Sequence, residues 1–244
     1  MKNGLYAAFS GMRARQRTLE AQANNIANAS TTGFKAERLL YSAIEAAKKG
    51  AGDGQNLVVG VQTSSGTDFS AGSIRETGRT LDVAIDGDAF LQIQTEQGAR
   101  YTRAGNLSLN ADGQLVTHNG DLVVGENGAI TVPRNKGELS IGQDGSLKVG
   151  NQTFGKLKLV RFENPASALT KEGNALFLAT GAEEPSANVN SKVMQGALES
   201  SNINPISEMV AMINNNREFE SLQKNVSLLM NDLGRKISSE IGKI

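Results

Sequence analysis

Both ends of this 244-residue chain repeat at a helical period and its middle repeats at a strand period, which narrows the folds open to it. From Leu5, the residues Phe9, Met12, Gln16, Leu19, Ala23 and Ile26 follow at alternating steps of four and three, the rhythm of a helix packed along one stripe. Gln16 alone interrupts the apolar run. Arg13, Arg15, Arg17, Glu20 and Asn24 fall off the stripe toward water. The spacing predicts a helix over about residues 2–28, roughly 40 Å long. It stops at Asn28-Ala29-Ser30-Thr31-Thr32-Gly33-Phe34, where short polar side chains compete for backbone hydrogen bonds and a glycine ends the turn. At the other end, Pro205 suits the first turn of a second helix. There Phe219, Gln223, Val226, Met230, Leu233 and Ile237 step by four and three, with Leu222 and Leu229 widening the stripe. Gln223 and Asn216 put amides into this second seam.

Between the helices the period falls to two, in runs such as Phe90-Leu91-Gln92-Ile93-Gln94, Leu107-Ser108-Leu109 and Leu157-Lys158-Leu159-Val160. Asp86-Gly87, Asp112-Gly113, Asn119-Gly120, Asn127-Gly128 and Asp144-Gly145 separate them, dipeptides that accept positive φ and close hairpins. The stretch with Phe34, Leu39, Leu40, Tyr41 and Ile44 reads equally as helix or strand. Lys48 to Asn56 reads as a flexible loop and Val58, Val59 and Val61 as a short strand. The expected fold is α+β: long N- and C-terminal helices pairing as a coiled coil, with a central, mainly antiparallel β-domain. Residues 1–34 and 205–244 form the helical part, 35–74 a connecting segment, and 75–204 the β-rich core. Amides in both seams make a two-helix pair weak alone, so the ends are expected to order when packed among copies.

Composition closes off several functions. Lys plus Arg and Asp plus Glu are 25 each, so no net field recommends nucleic acid. No apolar span reaches membrane-helix length, so membrane insertion is not expected. The start of the chain lacks the apolar core of a secretory signal, so if the chain leaves the cytoplasm it is expected to do so by a route that reads no cleaved signal. There is no cysteine or tryptophan, and with 8 Phe and 3 Tyr an aromatic-packed core is not expected. The single His118 sits beside Asn119-Gly120 in a predicted turn with no second histidine to complete a site. Asp86 and Asp88 are explained by turn chemistry. No nucleotide-binding or nucleophile-elbow motif occurs. No catalytic residue, metal or cofactor is predicted, and the chain is not expected to be an enzyme.

Four ordered segments resemble one family. Ala23-Asn24-Asn25-Ile26-Ala27-Asn28-Ala29-Ser30-Thr31-Thr32-Gly33-Phe34-Lys35 is similar to the N-terminal signature of the bacterial flagellar rod and hook proteins. The core motif of that family resembles Thr80-Leu81-Asp82-Val83-Ala84-Ile85-Asp86-Gly87-Asp88-Ala89-Phe90-Leu91. Its following hairpin resembles Tyr101-Thr102-Arg103-Ala104-Gly105-Asn106-Leu107 with Asp112-Gly113-Gln114-Leu115-Val116. Glu199-Ser200-Ser201-Asn202-Ile203-Asn204-Pro205 and Asn216-Arg217-Glu218-Phe219-Glu220 resemble its C-terminal signature. One departure is that Phe90 stands between Ala89 and Leu91 where the family usually has adjacent aromatics.

The resemblance implies a structural subunit of the flagellar basal-body rod, exported through the flagellum's own type III apparatus without a cleaved signal. It would polymerise helically in the periplasm with copies of itself and neighbouring rod proteins. The compact middle resembles proximal-rod members, and a distal-rod or hook-type subunit is the alternative. The expected assembly interface is Leu5, Phe9, Met12, Leu19, Asn25, Ile26, Asn28 and Phe34, with Asn202, Asn204, Phe219, Val226, Met230, Leu233 and Ile237. A reading of another class is an oligomerised ligand- or surface-binding β-module.

Overall fold

The N-terminal helix runs Lys2–Ala27 and the C-terminal helix Pro205–Ile241, as their spacing predicts. The computed structural model describes residues 2–46, 57–133, 137–187 and 190–241, so the expected loop Lys48–Asn56 lies outside the described residues. The chain divides into two compact units. One comprises Met1–Ala27, Glu37–Gly66 and Asn204–Ile244, the other Asn28–Ala36 and Thr67–Ile203. Among the described residues the fold is α+β with a mainly antiparallel sheet core.

In the helical unit, the stretch left open between helix and strand is a strand, Glu37–Ala46, paired with Leu57–Thr67. The N-terminal helix buries Ala14, Ala21 and Asn25, one face at steps of seven and four. The paired strands contact it through Val61 N–H, which donates to Ser10 Oγ (3.1 Å), Arg17, which donates to Thr63 Oγ1 (2.8 Å), and the hydroxyls of Thr18 and Tyr41. The C-terminal helix contacts it elsewhere. Arg15 pairs with Glu218 (2.7 Å), and Asn215 Nδ2 donates to Gln22 Oε1 (3.0 Å). Residue numbers rise on one helix as they fall on the other, so the two run antiparallel.

The buried stripes differ from the ones the spacing predicts. Gln16, Ala23 and Gln223 are exposed, and the C-terminal helix turns Met212, Asn215, Phe219, Leu222 and Val226 inward. A helix flanked by strands on one side and a helix on the other buries the small residues between them, because alanine allows close approach and a larger side chain does not.

The second unit is built on a nine-stranded sheet, with smaller sheets beside it, among the described residues. The main path of the nine strands is Leu169–Gly173, Leu176–Ala179, Gly98–Thr102, Phe90–Thr95, Leu122–Gly125, Leu115–Val116 and Ser108–Leu109. Gly128–Ala129 and Leu159–Val160 pair off this path. The five glycines of the predicted turn dipeptides all take positive φ, from 78° to 123°. His118 is exposed in a turn. One core cluster includes Val83, Leu91, Ile93, Leu107, Leu115, Val123, Leu147 and Leu157.

The other core cluster corrects the expectation that aromatics would not pack together. Phe69, Phe90, Phe162, Phe177 and Tyr101 meet mostly edge to face at centroid distances of 5.0–6.1 Å. Each such pair adds about 0.5–1.5 kcal/mol beyond area burial. A low count of aromatics did not prevent their gathering, because the sheet collects them from distant parts of the chain.

Candidate assembly interface

Just after the N-terminal helix, Gly33, Phe34 and Lys35 enter the β unit, and each makes a specific contact there. Gly33 has φ +66°, and an added Cβ would lie 2.4 Å from the backbone N of Ala104, so the chain needs glycine for conformation and for space. Its N–H donates to the Glu199 carbonyl at 2.8 Å. The Phe34 ring lies under the Lys171 ammonium, 3.4 Å from its centroid, and Lys171 also donates to the Lys35 carbonyl.

Lys35 is 1% exposed and its ammonium donates to Glu199 Oε1 and the Ser70 carbonyl, both at 2.7 Å. Glu199 Oε1 also accepts from Gly72 N–H at 2.9 Å, while Oε2 lies 3.1 Å from Arg103 Nε. Arg103 turns its other nitrogens onto the carbonyls of Ala89 and Gly87 and stacks over Phe90. The result is a buried knot of two cations and one carboxylate. Desolvation pushes the pKa of Lys35 below the ordinary lysine value, against the pull of Glu199. Desolvation likewise lowers Arg103, with Glu199, Asp88 and Asp86 opposing it. The three charged groups are engaged with one another and with backbone, an arrangement that fixes a chain.

Asn202 closes the same place. Its Oδ1 accepts from Ala36 N–H at 2.8 Å, and its Nδ2 donates to the carbonyls of Asp68 and Ser70. Asp68 N–H in turn donates to the Ala36 carbonyl. Residues 36, 68 and 202, where the chain leaves this unit, are thus tied together within it. Phe34, Ala36 and Ile203 form a small apolar cluster beside them.

The remaining predicted residues divide between inside and outside. Asn25 is buried and pairs both ends of its amide with Glu37, donating to its carbonyl (3.0 Å) and accepting from its N–H (2.9 Å). Asn28 accepts from Thr31 through its carbonyl and Oδ1. Asn204 Oδ1 caps the C-terminal helix by accepting from the N–H groups of Ile206 and Ser207. Met12, Leu19, Ile26 and Phe219 are half-buried and Val226 is buried, whereas Phe9 and Met230 are about half exposed. The side chains of Leu5, Leu233 and Ile237 lie outside the described residues. Lys35, Arg103 and Glu199 were absent from the expected site, although each sits in a quoted motif. A charged residue held among small and apolar neighbours was the available signal.

A β unit tied shut by internal charge, in a chain whose helical unit keeps large apolar side chains at its surface, defines a structural protein. The comparisons place it more closely. A model described as "Flagella basal body rod protein" matches residues 5–35. One for the "Flagellar hook protein FlgE/F/G D1 domain" matches 84–149, and one for the "Flagellar basal body rod FlgEFG protein C-terminal" matches 194–227. The chain is 35% identical to the flagellar basal-body rod protein FlgF of Caulobacter vibrioides over the whole of both chains. It is also 35% identical to FlgG of Bacillus subtilis (92% of this chain, 94% of the relative) and to FlgF of Salmonella typhimurium (94% and 96%). The chain belongs to the flagellar basal-body rod protein family. Lys35, Arg103 and Glu199 come one from each of the three matched regions, so the knot joins the three parts of the family pattern.

Proposed function

We infer that this protein is a structural subunit of the bacterial flagellar basal-body rod that polymerises helically through its terminal helices and transmits torque as part of the drive shaft. The observation that carries this reading is where exposed apolar surface lies. Among the described residues, eleven of fifteen exposed large hydrophobic side chains belong to the helical unit, among them Tyr6, Phe9, Leu40, Ile206 and Leu228. Apolar surface left open in this concentration marks an association surface. The terminal segments 1–34 and 205–244 act as the assembly part through coiled-coil packing of their helices with copies and neighbouring rod proteins, and 75–204 acts as the compact core.

Force passing between the units crosses at the chain positions that the knot and Asn202 tie together, so the buried charges keep those crossings from yielding under load. A proximal-rod position is favoured by the compact middle. The chain reaches the periplasm through the flagellar export apparatus. Imaging of purified basal bodies, with and without this chain, tests the reading. The expected result is one short tier of rod density that is lost, with everything distal to it, when the chain is absent. A long stacked tube moves the subunit to the distal rod, and complete rods without the chain overturn the reading.

A further inference from the structure

We propose that the C-terminal helix carries two docking faces, and that the far end of this helix in one copy packs against its near end in a second copy. The proposal rests on the polymer reading and deepens it by naming the contact. The first face continues an interface already present. Val226 is 7% exposed against the N-terminal helix, while Leu229 and Met230, the next residues in the same register at steps of three and four, are 52% and 48% exposed. The inward stripe of this helix therefore carries on beyond Val226 as exposed apolar surface.

The second face is at the start of the same helix. Ile206, Met209, Val210 and Ile213, spaced i, i+3, i+4 and i+7, are 72%, 46%, 54% and 54% exposed. They point away from Met212 and Asn215, which face the N-terminal helix. From Ile213 to Leu229 is about 24 Å along the axis, so one helix cannot bring its own two faces together. Charge separates along it as well. Residues 205–220 hold one cation and three carboxylates, net −2 with Glu218 already paired to Arg15, and residues 221–244 hold four cations and two carboxylates, net +2. End-to-start contact matches opposite charges, whereas end-to-end and start-to-start contacts oppose like charges. A contact between two different faces is head-to-tail, and where its rotation does not close a ring its repetition builds an open helical polymer.

The absence of native cysteine makes the test direct. Full-length Val210→Cys and Leu229→Cys variants are mixed at a concentration where the parent chain associates by light scattering, and then mildly oxidised. The mixed disulfide dimer is expected to exceed both homodimers several-fold, and adding Ile206→Lys and Ile213→Lys to the Val210→Cys chain, which removes the apolar face and the charge match together, is expected to abolish it. All substituted positions are exposed, and an unchanged circular-dichroism melt confirms folding. Equal yields, or a dominant homodimer, in a chain that associates would overturn this contact while leaving the polymer reading intact. A parent chain that stays monomeric at every attainable concentration would overturn both.

Discussion

Glu199 holds one negative charge between two buried cations, and the cost of altering each member of the knot follows from that count. Glu199→Gln takes from Lys35 and Arg103 the one carboxylate in contact with both, leaving only the weaker pull of Asp68, Asp86 and Asp88, and is expected to cost about 3–5 kcal/mol, the range for breaking a buried pair. Lys35→Met leaves Glu199 paired with Arg103 and should cost about 1–3 kcal/mol. Urea midpoints at neutral pH rank the two, and the reverse order would refute the count. The knot also sets a pH dependence. Because the folded-state pKa of Lys35 is lowered, the unfolded chain binds more protons than the native one between that value and the ordinary lysine value. Stability from this group therefore rises with pH through the window. Parent and Lys35→Met midpoints should converge below the window and separate in the parent's favour as pH rises through it, once the constant difference is removed. Gly33→Ala combines a left-handed φ with a clash against backbone, so a loss of at least about 2 kcal/mol is expected from the same measurement.

The elements of the two units differ in how much they bury. The two long helices contribute Ala14, Ala21, Asn25 and Val226 to the buried set among the described residues, three of them small or polar. Strands such as Phe90–Thr95 and Gly98–Thr102 sit between fully buried leucine, isoleucine and phenylalanine. Local opening follows buried contact, so amide exchange should be much faster over residues 5–28 and 219–237 of the isolated subunit than in those strands, and slow on assembly. Full protection of the helices in the free subunit would show that they need no neighbour. At this scale the sequence was legible where a signal is local. Helix limits, turn glycines and the Asn204-Pro205 helix start all follow from spacing and backbone chemistry. Which stripe a helix buries was not legible, because the paired strands on its second side belong to a segment whose pattern left helix and strand open.

For the whole molecule, equal numbers of opposite charges leave no net repulsion to oppose association. Exposed apolar residues on the helices supply a driving force for it. Truncation after Arg217 is therefore expected to abolish association in light scattering while the β unit keeps its thermal transition, since Glu199 and Asn202 remain. A truncated chain that still polymerises would move the assembly surface to the β unit.

Periodicity and turn chemistry alone determined the order helix, β unit, helix, and the ordered motifs carried the resemblance, since each is a property of neighbouring residues. Only the tertiary structure decided that Lys35 meets Glu199 across 164 residues of sequence, with Arg103 on the other side. It likewise decided that scattered phenylalanines form one cluster and that Asn25 and Asn202 spend their amides on backbone of their own chain. Burial and pairing at such separations depend on how the sheet brings the chain back on itself, and no local pattern encodes that path.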